Sequence, residues 1–223
     1  MTQFDIVMTS DKVCPFCYLG KKRLDRAIDA YKRTVPGGGG DTFNVSYRAF
    51  YLNPYAPARG VPIREAMAEK FGAARFEPMK ARLQAMGKSE GIDFTFECLT
   101  GSTRDAHRLD KLTRTKGPGV EEAVAQVVYE EYFEKGGDIT SRDMLVAAAA
   151  KGGVDPAEAR AWLESDAGGE QVDREARDAV REGIHGVPHF EINGEFHIGG
   201  AEDVQTFVTE FVRAKEAAEA KSG

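Results

Sequence analysis

The sequence has few residues of the kinds that bind metal ions. Its 223 residues include three cysteines, four histidines and one tryptophan. A structural zinc site needs four ligands, usually cysteines and histidines. Beyond the closely spaced Cys14 and Cys17, only Cys98 remains, and the histidines show no paired knuckle spacing. The sequence therefore predicts no metal site.

Long apolar runs and blocks of basic residues are missing as well. No stretch approaches the roughly twenty apolar residues of a membrane span, and the first residues lack the basic region and apolar core of a secretory leader. Acidic residues outnumber basic ones, 36 to 30, and no Lys/Arg block alternates with aromatic residues, which disfavours a nucleic-acid partner. We therefore expect a cytoplasmic protein with no membrane and no nucleic-acid partner. In that compartment a close cysteine pair is more often catalytic than structural.

Such a pair stands in the segment Cys14-Pro15-Phe16-Cys17. The residues before it, Phe4 to Met8, are apolar and β-prone and predict a buried strand. The residues after it predict an amphipathic helix, because apolar side chains recur at spacings of three and four: Tyr18, Leu19, Leu24, Ala27, Ile28 and Tyr31. Cys14 is then the N-cap, and Pro15 lies in the first turn, where its missing N–H costs nothing.

This placement predicts the chemistry of the pair. A thiolate at the N-cap can accept hydrogen bonds from free first-turn amides and faces the positive end of the helix dipole. Cys17 lies one turn later, where it can resolve a mixed disulfide formed on Cys14. A purely structural disulfide is disfavoured, because a loop of four residues constrains the unfolded chain little. Buried, unreactive cysteines are the remaining alternative, and the strand-to-helix context argues against them. The pattern indicates a redox dithiol.

Alternating strand patterns occur near both ends of the chain. Residues 43–50 predict a second strand that completes a β-α-β unit. Residues 187–192 and 195–198 predict two strands joined by a hairpin turn at Asn193-Gly194. A last helix is predicted from about Glu202 to Ala218. Between these parts the chain is rich in Ala, Glu, Lys, Arg and Leu, and it predicts helices over 63–71, 74–89, 102–116, 120–134, 140–151, 156–164 and 170–182.

Four motifs in this order resemble those of one protein family. They are Ser10 to Gly20 around the two cysteines, Phe50-Tyr51-Leu52-Asn53-Pro54, Arg104 to Leu109, and Gly186-Val187-Pro188 followed by a strand and Gly199-Gly200-Ala201. Over nearly its whole length the chain resembles the DsbA-like branch of the thioredoxin superfamily, and most closely its FrnE-like members.

The resemblance implies an α/β thioredoxin-like fold (βαβ…ββα) interrupted by an all-helical insertion. The thioredoxin-like domain would comprise residues 1–54 and 184–223, and the insertion residues 55–183. The implied activity is thiol–disulfide exchange, with Cys14 as nucleophile and Cys17 as resolving thiol. Pro188 would be a cis-proline that places the backbone of Val187 beside Cys14. There an extended substrate could pair with it.

Further expectations concern the substrate site and the partners. Pro15, Phe16, Val187 and Pro188 would contact substrate, and His107 is a further candidate from the helical segment. We expect substrates that are thiol- or disulfide-bearing proteins or small molecules, no bound cofactor, and glutathione as the candidate co-substrate. A monomer and a homodimer are both compatible with the sequence.

Two alternative functions stay open. Kappa-type glutathione transferases and 2-hydroxychromene-2-carboxylate isomerases resemble the same architecture and use glutathione. In them a serine usually stands at the position of Cys14, and a Ser-Asp pair stands where this chain has Gly200-Ala201. Both departures favour the oxidoreductase. The second alternative is a non-catalytic thioredoxin-like binding module, which would not need the dithiol.

Overall fold

The computed structural model describes residues 1–117 and 119–222. Pro118, in a predicted break between helices, and Gly223, at the predicted end of the thioredoxin-like domain, lie outside the described residues. The elements in chain order are β1 (Gln3–Ser10), α1 (Pro15–Thr34), a 3₁₀ turn (Gly38–Gly40), β2 (Thr42–Ala49), β3 (Val61–Pro62), α2 (Ile63–Phe71), α3 (Ala73–Ser89), β4 (Leu99–Thr100), α4 (Arg104–Arg114), α5 (Val120–Phe133), α6 (Arg142–Lys151), α7 (Pro156–Glu164), α8 (Gly169–Arg181), β5 (His189–Ile192), β6 (Phe196–Gly199) and α9 (Val204–Ser222).

The strand β1 lies inside a four-stranded sheet of order β2-β1-β5-β6. It runs parallel to β2 and antiparallel to β5, so that Ile6 is opposite Val45 on one side and Ile192 on the other. One face of this sheet is covered by α1 and α9. Phe190 of β5 meets Phe207 of α9 edge to face, with ring centroids 4.9 Å apart. The fold is the α/β thioredoxin-like fold with a helical insertion.

The inserted segment packs against the sheet at β2. Tyr47 of this strand is buried, and its backbone is bonded by side chains of two inserted helices. Lys111 Nζ of α4 donates to Tyr47 O at 2.9 Å, and Tyr47 N donates to Glu121 Oε1 of α5 at 3.1 Å. Charged side chains of the insertion thus take the place of a further strand at this edge.

The predicted hairpin turn at Asn193-Gly194 is confirmed. Both residues have positive φ, 53° and 69°, as the type I′ turn of a two-residue hairpin requires. Asn and Gly adopt that conformation most readily. The turn is tied to β1, since Asp5 N donates to the Asn193 side chain at 2.8 Å and Asn193 N donates to Asp5 O at 2.8 Å.

Each predicted helix of the inserted segment is present, with both ends within two residues of the predicted range. The segment is nevertheless not all helical, because β3 and β4 form a two-stranded ribbon in which Val61 pairs with Thr100. The final helix also runs past its predicted end, through Ser222. Beyond the predicted end, Lys221 forms an ion pair of 2.6 Å with Glu195. The domain boundaries at residues 54 and 184 stay a prediction.

Candidate active site

Cys14 begins helix α1 at the end of the turn that follows β1. Its backbone N–H donates to Asp11 O at 3.0 Å, and its carbonyl accepts from the N–H groups of Cys17 at 3.0 Å and Tyr18 at 3.3 Å. Pro15 occupies the first turn, as the sequence indicated. The side chain of Cys14 makes no capping hydrogen bond, in contrast to our expectation. Instead its thiol donates to Val187 O, with Sγ 3.6 Å from the carbonyl oxygen.

The two cysteines differ in exposure. Cys14 is 4% exposed, whereas Cys17 is completely buried, and both are free thiols. Burial raises the pKa of the Cys17 thiol, and its hydrogen bond with Cys14 raises that pKa further. Cys17 therefore stays protonated at neutral pH, and an approaching disulfide meets Cys14 first.

The loop before β5 forms the second wall of the site. The Val187–Pro188 peptide bond is cis, and Pro188 is buried. A close approach between this loop and α1 depends on Gly20. A Cβ at Gly20 would lie 2.9 Å from Pro188 Cγ and 3.1 Å from Phe190 Cζ, closer than ordinary van der Waals contact. The absence of a side chain at Gly20 lets α1 and the Val187 carbonyl enclose Cys14.

Beside the dithiol lies a cavity of about 450 Å³. Cys14, Phe16 and Val187 form its thioredoxin-side wall, and Phe16 is 41% exposed at this position. The opposite wall comes from the insertion and is mainly apolar: Ile63, Met67, Phe71, Leu83, Phe94 and Phe133. The site thus combines a reactive thiol with an apolar binding surface, the usual composition of a small-molecule pocket.

Cys98 lines the same cavity. No function was predicted for this residue from the sequence, and in the structure it is 2% exposed. Burial raises the pKa of its thiol to about 11, so that Cys98 is protonated and weakly nucleophilic at neutral pH.

A buried cluster of charges lies next to the dithiol. It consists of Asp11, Lys12, His107 and Asp110, and all four residues are buried. Lys12 Nζ lies 3.0 Å from Asp110 Oδ2, without the alignment of a hydrogen bond. His107 is between the two carboxylates, 3.7 Å from Asp11 Oδ1 and 3.7 Å from Asp110 Oδ2. With His107 protonated, the cluster holds two cations and two anions in a region without solvent.

The charges of this cluster shift the pKa values of its members. Burial alone would lower the pKa of His107, but the neighbouring carboxylates of Asp11 and Asp110 outweigh it and raise that pKa. Burial would likewise raise the pKa of Asp110, but the charges of Lys12 and His107 hold it below its ordinary value. Both shifts favour the ionised forms. In the described part of the chain, no group of three or more His, Cys, Asp or Glu side chains is arranged to hold a metal ion.

The structure brings most of the sequence-predicted site residues together. Pro15 and Phe16 lie beside Cys14 and line the cavity, as does Val187, while Cys17 and Pro188 are buried behind that surface.

The candidate substrate residue His107 is placed differently. It is fully buried, is not among the residues that line the cavity, and lies 3.7 Å from Asp11 Oδ1. The geometry thus places it in the buried charge cluster, and its predicted contact with substrate stays a prediction. Asp11 was not predicted as a site residue, although its position three residues before Cys14 already indicated that it lies near the dithiol.

Comparisons with known proteins agree with this architecture. A family model of the DsbA-like thioredoxin domain matches residues 5–212. A crystal structure described as a probable DsbA oxidoreductase from Streptomyces coelicolor is 27% identical, with a TM-score of 0.82 over 96% of this chain and 90% of that one. No curated protein sequence matches.

Two more distant structures share the fold. A 2-hydroxychromene-2-carboxylate isomerase is 18% identical, with a TM-score of 0.67 over 98% of both chains. The cytosolic disulfide reductase DsbM from Pseudomonas aeruginosa is 16% identical, with a TM-score of 0.60 over 98% of this chain and 100% of that one. Among the described residues no helix has the length and apolar character needed to cross a membrane.

Proposed function

Because the chain belongs to the family of DsbA-like thioredoxin domains, we propose that it is a thiol–disulfide oxidoreductase that acts through Cys14 and Cys17. One observation carries the proposal. Cys14 combines a helix N-cap position with a place on the cavity wall, and its Sγ lies 3.6 Å from Val187 O. A buried second thiol follows one turn later. A binding module would have no use for this arrangement.

The first step of the proposed reaction takes place at Cys14. Its thiolate attacks one sulfur of a substrate disulfide, a Cys14–substrate bond forms, and the other substrate sulfur leaves with the electron pair of the broken S–S bond. The backbone of Val187 is the nearest hydrogen-bonding edge to Cys14, so an extended substrate would pair there.

The second step takes place at Cys17. Its thiol loses a proton and attacks Cys14 Sγ, an intramolecular disulfide forms, and the second substrate sulfur leaves as a thiolate. The substrate gains two electrons, and the dithiol loses two. The proton is released as the new bond forms; burial and, more weakly, the charge of Asp11 raise the pKa of this thiol. The same two steps in the reverse direction oxidise a substrate dithiol.

Glutathione is the co-substrate that we propose for returning the pair to its starting state. The DsbM protein of Pseudomonas aeruginosa is described as a cytosolic disulfide reductase and has been solved with glutathione. For the present chain, this use of glutathione and the cytoplasmic location stay predictions. A reduction potential measured against glutathione determines the direction, since about 30 mV corresponds to 1.4 kcal/mol for a two-electron couple.

The test uses three cysteine variants of the full chain. Cys14→Ser should abolish turnover in insulin reduction, because no nucleophile remains at the cavity wall. Cys17→Ser should accumulate mixed disulfides with substrate, which non-reducing electrophoresis and mass spectrometry detect. Cys98→Ser is the matched control, a buried thiol in the same cavity, and should retain turnover.

Two results would contradict the proposal. Turnover that survives in Cys14→Ser would exclude this nucleophile. Alternatively, glutathione-dependent isomerisation of an aromatic carboxylate that persists in Cys17→Ser, without disulfide exchange in the wild type, would favour the isomerase alternative.

A further inference from the structure

Two cationic side chains line the mainly apolar cavity beside Cys14. They are Lys70 on α2 and Arg82 on α3, and both residues are exposed. Within residues 1–117 and 119–222, neither forms an ion pair or a hydrogen bond with another side chain. The Lys70 ammonium lies 5.4 Å from the centroid of the Phe71 ring, itself part of the same wall.

Lys70 and Arg82 differ from many basic side chains of this chain in that they have no acidic partner among the described residues. The chain carries a net charge of −6, and many of its basic side chains form ion pairs. For example, Arg23 lies 2.8 Å from Glu90, and Arg64 on α2 lies 3.4 Å from Glu77. An acidic protein repels anions at long range, and two cations without acidic partners on the cavity wall supply a local attraction for an anion beside the reactive thiol.

The remainder of the cavity selects for an apolar group. Met67, Leu83 and Phe94 contribute to a lining that offers few polar atoms. The volume of about 450 Å³ falls within the range typical for small-molecule pockets, roughly 300–1,000 Å³. A ligand that satisfies both features has an aromatic or branched aliphatic body and an acidic group at one end.

We propose that this cavity selects low-molecular-mass disulfides that carry an aromatic or branched apolar body and an anionic group. The proposal rests on the function proposed above. The apolar body enters between α2 and α3, the anion lies near Lys70 and Arg82, and a disulfide sulfur meets Cys14. Cys14 Sγ then forms the new S–S bond, and the second half of the ligand leaves as a thiolate with the electron pair.

The experiment compares two aromatic disulfides that differ in charge. The anionic reagent is 5,5′-dithiobis(2-nitrobenzoate), and the neutral reagent is 4,4′-dithiodipyridine. Stopped-flow absorbance gives the rate constant of each reagent with the reduced full chain, and mass spectrometry of Cys17→Ser, in which the mixed disulfide is not resolved, identifies Cys14 as the modified residue. The measured quantity is the ratio of the anionic to the neutral rate constant.

The test variant is Lys70→Gln/Arg82→Gln, and the control is Lys80→Gln/Lys88→Gln. The control removes the same charge from α3 at positions outside the cavity lining. We expect the ratio to fall about fivefold in the test variant, the range for two charge contacts at exposed positions, and to stay unchanged in the control. Salt at 1 M should reduce the wild-type ratio as well, because it screens exposed charges.

The outcomes separate this proposal from the function on which it rests. An unchanged ratio in the test variant, or equal falls in test and control, overturns the selection of anionic ligands. If the small reagents are unaffected but reduction of an acidic unfolded protein slows, the occupant is a protein segment and the proposal is wrong. If neither reagent oxidises the Cys14–Cys17 pair of the wild type or modifies Cys14 in Cys17→Ser, the proposed oxidoreductase function itself fails.

Discussion

Replacement of Lys12 by methionine should cost the protein a large part of its stability. Methionine keeps the apolar stem but removes the ammonium, which lies 3.0 Å from Asp110 Oδ2 and 4.3 Å from the centroid of the Tyr47 ring. Both charged side chains are buried, with 0% and 3% exposure. Removing one partner of a buried ion pair costs about 3–5 kcal/mol, because the other charge stays buried without compensation.

His107 moderates this loss. It remains 3.7 Å from Asp110 Oδ2. When protonated it gives Asp110 a second cation, so the cost should lie near the lower end of that range, about 3 kcal/mol. For a chain of this size, 1 kcal/mol shifts the melting temperature by about 2–4 °C. We therefore expect Lys12→Met to melt about 6–12 °C below the wild type.

The assay is urea and thermal unfolding at pH 7 for Lys12→Met, Asp110→Asn and the double variant. If the two charges stabilise each other, the double variant loses less than the sum of the single losses. Lys88→Met on the exposed face of α3 is the control and should change the free energy of unfolding by less than about 0.5 kcal/mol. Strict additivity in the cycle, or a loss in Lys12→Met no larger than the control, would refute the reasoning.

Two further predictions concern His107 and Gly20. The pKa of His107 is raised in the folded chain. Its contribution to stability is therefore complete below the pKa of histidine in the unfolded chain, about 6.5, and is lost as pH rises through the pKa of the folded chain. His107→Gln should thus reduce the free energy of unfolding most at acidic pH, and a loss that grows with pH in urea unfolding would contradict this. Gly20→Ala adds a Cβ that lies 2.9 Å from Pro188 Cγ. It should destabilise the chain by about 1–3 kcal/mol and slow insulin reduction, whereas Gly199→Ala, with no atom within 4 Å of the new Cβ, should do neither. Equal rates for the two alanine variants would show that the contact between α1 and the Pro188 loop is unimportant.

The local elements of this protein were predictable because their signals lie close together in the chain. The strand before Cys14, the proline in the first turn of α1 and the spacing of apolar residues all act within a few residues, and they predicted that β1 and α1 meet at Cys14. The Asn193-Gly194 turn was predictable for the same reason, since positive φ is a property of those two residues. By contrast, Ile92 to Phe96 alternates like a strand but forms none, because its apolar side chains pack into the insertion instead of a sheet.

The sequence by itself determined the order of strands and helices, the position of the dithiol at a helix start and, through the family motifs, the class of fold. Only the tertiary structure decided what surrounds the dithiol. It placed His107 inside a buried cluster with Asp11, and it brought Lys70 and Arg82 to the cavity of Cys14. Local periodicity reports which face of a helix is buried, but not which distant helix that face meets. Contacts between residues more than fifty positions apart depend on how the insertion packs on the sheet, and that packing is a property of the whole chain.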